Sequence, residues 1–235
     1  MFKKTFAVAG GLAAAVLAFS PLAQAGPLTS ITFNLTGWAA NTPGSTINSA
    51  SQQADATNPL MTSANLFVTG TVMGLPNWCV GDPGCVGGSN TFGNFIDNNG
   101  NGGTTNSLMY WTTAGANTVL SSGGFASAAL LKMTFTLANN DTMGTIVHDD
   151  GISIYNSMGT QVVDSALPTT ATGTSFDLNA GTYTLYYVEA NGAPSELSFQ
   201  NVTEAPEPGA LALFGAGLLG CALFIGRRRR MSRSI

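Results

Sequence analysis

Short apolar runs that alternate with polar residues constrain the fold of this chain more than any other feature of its sequence. The run LLKMTFTL at 130–137 is the clearest, because Lys or Thr separates its apolar residues after the first. Side chains of a strand alternate between its two faces, so this pattern predicts a strand with one buried face. Similar runs, separated by Gly, Asn or Pro, occur at 31–35, 66–73, 108–111, 145–147, 151–155, 161–163, 175–178, 182–188 and 197–202.

These short runs, with no long stretch of helical periodicity, predict an all-β domain. The natural architecture is an antiparallel β-sandwich, jelly-roll-like in form. No repeat of fixed period is present, which disfavours a solenoid or a propeller. Residues 41–59 and 87–107 are rich in Gly, Asn, Ser and Thr, and we predict that both are loops.

The first 25 residues predict a secretory signal peptide. Lys3 and Lys4 form a basic start, residues 6–19 are uncharged and apolar, and AQA at 23–25 is a small-x-small cleavage signal. An uncleaved anchor is the alternative. Cleavage by signal peptidase would leave an exported domain over residues 26–204.

A second apolar segment lies near the C-terminus. Residues 210–226 carry no charge and are at the lower limit of length for a membrane-spanning helix. A basic cluster follows at once, and Lys and Arg mark the cytoplasmic side of a membrane. We therefore predict a transmembrane helix over 210–226 that leaves residues 26–205 outside the inner membrane.

The predicted exported part is strongly acidic. Residues 26–204 contain eleven Asp and Glu and one basic residue, Lys132, which gives a formal net charge of −10. Nucleic-acid binding depends on Lys and Arg contacts to phosphate, so this composition excludes a nucleic-acid partner. The carboxylates would keep the domain soluble or attract divalent cations.

The C-terminal end, over residues 204–230, resembles the PEP-CTERM sorting signal of exosortase substrates. Its parts are, in order, Pro206, Glu207 and Pro208, the apolar segment, and the cluster Arg227, Arg228, Arg229 and Arg230. The resemblance implies that residues 205–235 are a sorting signal, which exosortase cuts near the Pro-Glu-Pro tripeptide. It also implies a Gram-negative bacterium that makes extracellular polysaccharide.

Cys79 and Cys85 lie in the stretch NWCVGDPGCVGG. Two cysteines so close in an exported chain, with Asp-Pro-Gly between them for a turn, predict a local disulfide. A loop this short gives only modest entropic stabilisation, so the bond would chiefly hold one loop in place.

Asp149 and Asp150 are adjacent acids between two strand-like runs, in GTIVHDDGISIY. Neighbouring carboxylates repel each other, so something should offset their charge. A hard cation with oxygen ligands, such as calcium, would do so. The pair is therefore a predicted calcium site.

Residues 130–200 resemble the second half of the protective-antigen-type β-sandwich, the lectin domain of flocculin-type adhesins. The matching elements are DDG at 149–151 followed by ISIY, AGTY at 180–183, YY at 186–187 and GA at 192–193. In the adhesins the paired aspartates hold a calcium ion that binds sugar hydroxyls, which implies that role for Asp149 and Asp150. The chain departs from the family in lacking identifiable further ligands and the Trp that often follows. A purely structural turn is the alternative.

A second cation candidate is the stretch DNNGNG at 97–102. Asp97, Asn99 and Asn101 fit the first half of a calcium loop, but its twelfth position, where a bidentate acid is expected, is Leu108. An Asn- and Gly-rich flexible loop is the alternative.

Three further residues invite a catalytic interpretation. His148 is the only histidine and precedes Asp149, but the chain has no G-x-S-x-G nucleophile, so we predict a solvent-facing strand residue. Glu189 and Glu196 could pair as glycosidase carboxylates. Because they flank a turn at Asn191-Gly192, we predict that they are rim residues instead.

Exposed aromatic rings are another route to sugar binding, because flat rings stack on pyranose faces. The candidates are Trp38, Trp78, Trp111, Tyr155 and Tyr186. The alternative for each is a place in the hydrophobic core.

Together these features predict a non-enzymatic protein that is sorted by exosortase to the cell surface or the exopolysaccharide matrix. There it would adhere or bind glycan, with calcium as the cofactor. The alternatives are a purely structural matrix protein without ligand and a secreted polysaccharide-active enzyme. The predicted partners are signal peptidase, exosortase, extracellular polysaccharide and, before processing, the inner membrane.

Overall fold

The computed structural model of the protein describes residues 26–41, 50–80, 91–99, 127–139, 141–190 and 195–205, together with Gly215, Gly217 and Leu218. Pro27–Glu204 form one unit of the chain, and Met1–Gly26 with Ala205–Ile235 form another. The second unit lies almost entirely outside the described residues, so the signal peptide and the membrane helix over 210–226 stay predictions. Across the part of the chain that is described, no helix has the length and apolarity that crossing a bilayer requires.

Antiparallel strands make up most of the described residues. They are β1 (Gly26–Pro27), β2 (Thr32–Asn41), β3 (Leu66–Met73), β4 (Asn77–Val80), β5 (Ser127–Leu137), β6 (Thr142–Asp149), β7 (Gly151–Asn156), β8 (Gln161–Ser165), β9 (Thr172–Leu178), β10 (Gly181–Glu189) and β11 (Ser195–Glu204). Every predicted strand that falls within the described residues overlaps one of these. The prediction of a predominantly antiparallel β structure is confirmed.

The strands form two sheets. The larger has the order β3-β2-β5-β10-β7-β8, and the smaller has the order β1-β11-β6-β9, with β4 also paired to β11. The chain changes sheet between β6 and β7, where Asp150 is the single intervening residue. This crossing brings the end of β6, the start of β7 and the end of β10 to one end of the structure.

The hydrophobic core lies between the two sheets. Phe33 of the larger sheet packs edge-on against Phe135 of the same sheet, at 5.3 Å between ring centroids, and against Phe199 of the smaller sheet at 6.4 Å. Ile146 and Leu185 are fully buried in the same cluster. Burial of each such side chain contributes about 1.5–3 kcal/mol. The apolar residues that alternate along the strands therefore hold the two sheets together.

A smaller apolar cluster covers the opposite face of the larger sheet. Ala54 and Leu60 pack there with Tyr186 and Val188 of β10. The segment that supplies the first two begins with a short 3-10 helix at Ala50–Gln52, inside the predicted loop at 41–59. The described part of this predicted loop, residues 50–59, therefore packs against the larger sheet.

Further elements differ from the predictions. Helix α1 (Phe92–Asn99) lies inside the predicted loop at 87–107. The rings of Phe92 and Phe95 pack against the ring of Trp78 in β4, with centroid distances of 5.0 Å and 5.4 Å. Their burial stabilises a helix that composition alone does not favour. Strands β1 and β4 were also not predicted, and the predicted strand at 108–111 lies outside the described residues.

Candidate functional site

Asp149 and Asp150 lie where the chain passes from one sheet to the other. Asp149 ends β6, Asp150 follows it, and Gly151 begins β7. The peptide bond between the two aspartates is cis. Their side chains are 4% and 0% exposed, so the predicted pair is inside the end of the sandwich.

Two glutamates reach the same end of the structure. Glu196 stands opposite Asp149 in the pairing of β11 with β6, and opposed residues of an antiparallel pair project from the same face. Glu189 precedes Ala190, whose N–H donates to Asp150 Oδ2 at 2.6 Å. Glu189 and Glu196 are 3% and 2% exposed. Both side chains are buried, so the prediction that they are rim residues is wrong.

The phenol of Tyr187 lies among these carboxylates. Its hydroxyl donates to the carbonyl of Asp149 at 2.6 Å and lies 3.1 Å from Oγ of Ser195. Burial raises the pKa of Tyr187 well above its ordinary value, and the negative charges of Glu189, Asp150 and Asp149 raise it further, against a lowering by the Ser195 hydrogen bond. Tyr187 therefore stays protonated and remains a donor.

His148 is fully buried, so the prediction that it faces solvent is wrong. It shares the core-facing side of β6 with Ile146, two residues before it. Its Nδ1 lies 2.5 Å from the carbonyl oxygen of Asp150, and its Nε2 lies 2.8 Å from Oγ1 of Thr174. A carbonyl only accepts, so Nδ1 carries the proton and Nε2 accepts from Thr174. Burial lowers the pKa of His148, against a smaller raising effect of the Asp150 carbonyl.

Four buried carboxylates make up what we call the acidic end: Asp149, Asp150, Glu189 and Glu196. Lys132 is the only Lys or Arg in residues 26–204, and it stands in mid-strand, opposite Thr36 and Tyr186. At most one Lys or Arg side chain of this domain could therefore pair with any of the four carboxylates. Buried carboxylates need hydrogen-bond donors, protons or a cation beside them, and the N–H of Ala190 is one such donor to Asp150.

Carboxylate oxygens are the donors that calcium prefers, typically about six to eight oxygens to an ion. Asp149 and Asp150 would supply the carboxylates of such a site. Among the residues that the structure describes, no three His, Cys, Asp or Glu side chains are grouped as metal ligands. The donor chemistry fits calcium, and the aspartate pair would need carbonyl, amide or water oxygens to complete the shell.

The second cation candidate is divided by the structure. Asp97 and Asn99 belong to α1, and Asn101 lies outside the described residues. The predicted loop conformation is therefore wrong at the first two positions, where helix α1 forms instead. Metal binding by these residues stays a prediction.

Cys79 lies in β4 next to the acidic end, directly opposite Glu196 in the pairing of β4 with β11. It is buried and is one half of a disulfide bond. Cys85, the partner that the sequence predicts, lies outside the described residues. The Cys79–Cys85 pairing therefore stays a prediction.

The aromatic candidates are mostly part of the packing. Trp78 is fully buried and Tyr186 nearly so. Trp38 and Tyr155 are half-buried and pack against the smaller apolar cluster. Trp111 lies outside the described residues. The structure thus places the described rings in or against the packed clusters, and it favours their core interpretation over sugar stacking.

Residues 204–230 match the family described as the PEP-CTERM protein-sorting motif. The chain therefore carries this sorting motif, and it is an exported protein that exosortase recognises. Pro206, Glu207, Pro208 and Arg227, Arg228, Arg229 and Arg230 all fall within the matched range, although their structure lies outside the described residues. The predicted resemblance of this end to exosortase substrates is confirmed.

Two solved structures are similar to this chain over 76% of its length. One is a PA14 sugar-binding domain from an RTX adhesin, with 16% identity, a TM-score of 0.42 and 99% of its own chain covered. The other is a PA14 domain of the MpAFP antifreeze protein, with 13% identity, a TM-score of 0.42 and 85% coverage. A superposition this loose defines neither the ligand nor the site of this chain. No curated protein matches the sequence.

Sequence reasoning missed the burial of Glu189, Glu196 and His148. Each is a polar residue beside a turn or at the end of a short run, where exposure is the ordinary expectation. For Glu189 a usable signal was present, because it continues the alternation of Tyr183, Leu185 and Tyr187 along β10. For His148 the alternation of β6 placed it on the same face as Ile146.

Proposed function

We propose that this protein belongs to the cell surface or exopolysaccharide matrix of a Gram-negative bacterium, that it adheres or binds glycan there, and that calcium stabilises it. Signal peptidase would remove residues 1–25. The segment 210–226 would hold the chain in the inner membrane until exosortase cuts near Pro206, Glu207 and Pro208. The sorting motif over 204–230 supports the export part of this proposal.

The observation that carries the calcium part is the imbalance of charge at the acidic end, with four buried carboxylates in a domain that has one basic residue. A calcium ion held by Asp149 and Asp150 would offset their repulsion. Since Asp150 is the single residue between β6 and β7, the ion would also fasten the crossing between the sheets. Binding energy gained only in the folded state becomes folding energy.

The glycan-binding part is supported by the resemblance of residues 130–200 to flocculin-type lectins. In this chain Asp149 and Asp150 are buried, which favours a calcium ion that acts inside the protein over one that contacts a sugar directly. The same burial favours a second candidate function, a structural matrix protein without ligand. Glycan binding by the purified protein separates the two.

The proposed role requires no catalysis. Glu189 and Glu196, which could pair as glycosidase carboxylates, are both buried and do not reach the surface where a polysaccharide would lie. We expect no increase in reducing ends when the protein is incubated with a panel of polysaccharides. Release that a Glu189→Gln variant abolishes would contradict a non-enzymatic role.

Calcium titration with thermal unfolding tests the cation site. At a calcium concentration about 100 times Kd, the free energy of unfolding of the wild-type protein should rise by about 2.7 kcal/mol. An Asp149→Asn/Asp150→Asn variant should show no rise. Asp164→Asn/Asp177→Asn makes the same change of charge at two exposed residues and should respond like wild type. No shift in wild type, or an equal shift in all three proteins, would reject the site.

Export is tested by mass spectrometry of the protein recovered from its own cells. We expect an N-terminus at Gly26 and a C-terminus near Pro208. Recovery of the uncut chain, with both ends intact, from the cytosol would contradict export and sorting, and would leave the calcium titration unaffected.

A further inference from the structure

A groove of about 550 Å³ opens at the end of the sandwich opposite the acidic end. Its position follows from the register of β10 with β5. Thr182 stands opposite Thr136 at the groove, whereas Glu189, at the other end of β10, stands opposite Ala129. The volume is within the range of ligand-binding pockets.

Hydroxyl and amide groups of three neighbouring strands line this groove, which we call the hydroxyl groove: Thr32, Asn34, Thr134, Thr136 and Thr182. All five lie on the face of the larger sheet that is turned away from the core. Neighbouring strands are about 4.8 Å apart and alternate residues of a strand about 6.7 Å apart. The sheet therefore presents these groups at regular intervals.

The hydroxyls are held in place by one another. Oγ1 of Thr136 lies 3.0 Å from Oγ1 of Thr182, and Oγ1 of Thr134 lies 3.3 Å from Oγ1 of Thr184. A hydroxyl has one donor and two acceptor sites, so each member of a pair keeps capacity for a ligand. Thr136 and Thr182 are exposed, so that capacity faces the groove.

Charge selects the class of ligand. Glu204 is the one ionisable residue among the lining residues that the structure describes, and its Oε2 accepts a hydrogen bond from Asn139 Nδ2 at 3.2 Å. Among the described residues that line the groove none is basic, and residues 26–204 carry a formal net charge of −10. The negative charge of the domain would repel an anionic polymer, and no described lining residue would pair with its charges. Leu28, which is half-buried, adds apolar contact area beside the hydroxyls.

We propose that the hydroxyl groove binds a segment of a neutral, hydroxyl-rich polysaccharide, and that it does so without calcium. Paired threonine hydroxyls and the Asn34 amide would exchange hydrogen bonds with sugar hydroxyls, and Leu28 would contact sugar C–H groups. This inference rests on the proposed glycan binding and assigns it to a second site, because no residue of the acidic end lines the groove.

Retention of the full chain in native gels that contain polysaccharide tests this proposal. The probes are dextran, a linear β-glucan and a galactan as neutral chains, and alginate as an anionic one. We expect retention by at least one neutral chain and none by alginate. The Thr136→Val/Thr182→Val variant, which keeps side-chain shape and removes two hydroxyls, should bind about tenfold more weakly.

The matched control is Thr145→Val/Thr172→Val, which removes two hydroxyls from the smaller sheet, outside the groove. It should be retained like wild type, and EDTA should leave retention unchanged. Absence of retention by every neutral chain, retention by alginate alone, or an equal loss in both variants would overturn the groove. A different outcome would assign the glycan to the acidic end instead. In that outcome EDTA and the Asp149→Asn/Asp150→Asn variant both abolish retention, and Thr136→Val/Thr182→Val is retained like wild type. The calcium titration is independent of all these outcomes.

Discussion

The two ends of the sandwich are made by the same strands and have opposite chemistry. Strand β10 begins at the hydroxyl groove with Thr182 and finishes at the acidic end with Glu189. Strand β11 runs the other way, from Glu196 to Glu204. One end buries four carboxylates, and the other exposes neutral hydroxyls around one carboxylate.

The two ends should therefore respond differently to pH and to cations. Buried carboxylates depend on the hydrogen bonds, protons or cations around them, so the acidic end should respond to pH and to cations. Exposed hydroxyls exchange one hydrogen-bond partner for another at little net cost. The groove end should therefore be insensitive to the same conditions. Each of the following substitutions tests this contrast.

The largest effect is expected where the chain crosses between the sheets. A Cβ at Gly151 would collide with the backbone carbonyl of Ala166. Backbone cannot move aside as a flexible side chain can, so Gly151→Ala should lower the free energy of unfolding by about 3 kcal/mol, measured by urea denaturation. Gly173→Ala is the control, since its Cβ would meet only a side-chain methyl of Thr145 at 3.2 Å. Equal losses in both variants would show that the crossing is not tightly packed.

Two tyrosines of β10 allow the ends to be compared with one chemical change. Tyr187 donates to the buried carbonyl of Asp149 at 2.6 Å, and Tyr183 donates to the part-buried carbonyl of Asn179 at 3.0 Å. Tyr187→Phe would leave a buried acceptor without its donor, at a cost of about 2 kcal/mol, whereas water can replace the lost donor in Tyr183→Phe, at about 0.5–1 kcal/mol. Urea denaturation measures both. A larger loss for Tyr183→Phe would contradict the assignment of the costlier burial to the acidic end.

Much of the fold could be predicted because each strand carries its own signal. The alternation at 130–137 places Met133 and Phe135 in the core as expected. Helix α1 was missed because it has only eight residues and lies in a Gly- and Asn-rich stretch. Its stability comes from Phe92 and Phe95 packing on Trp78, a contact that composition does not reveal.

The two sites were harder to predict because they are made by pairing. Asp149 and Asp150 are adjacent in the chain and could be recognised as candidates. Glu196 reaches Asp149 only through the register of β11 with β6. The hydroxyl groove likewise joins residues of β2, β5 and β10. Register between distant strands depends on the whole fold, and a local pattern does not specify it.

The third prediction concerns pH at the acidic end. Burial lowers the pKa of His148 below its ordinary 6.5, so the unfolded chain binds this proton more readily than the folded one. The contribution of neutral His148 to the free energy of unfolding is complete above about pH 6.5. It is lost as the pH falls from there toward the lowered pKa of His148. Each unit of lowering corresponds to about 1.4 kcal/mol.

The measurement for this prediction is the free energy of unfolding between pH 5 and pH 8, by urea denaturation of wild type and His148→Gln. Glutamine keeps an uncharged N–H donor for the Asp150 carbonyl and does not titrate. The variant should lose less stability than wild type as the pH falls, and the carboxylates common to both proteins cancel in the difference. Parallel curves would show that His148 does not contribute to the pH dependence.

The smallest effect on stability is expected from Thr136→Val/Thr182→Val in the hydroxyl groove. Both residues are exposed, and their hydroxyls bond to each other at 3.0 Å. Valine favours strands as threonine does, and no buried group loses a partner, so the free energy of unfolding should change by less than about 0.5 kcal/mol. Urea denaturation beside Thr145→Val/Thr172→Val provides the comparison. A loss as large as that of Tyr187→Phe would show that the hydroxyl pair supports the fold, and weaker polysaccharide retention could then no longer be assigned to a lost ligand contact. A near-zero change together with weaker retention would show that the paired hydroxyls contact the ligand and do not support the fold.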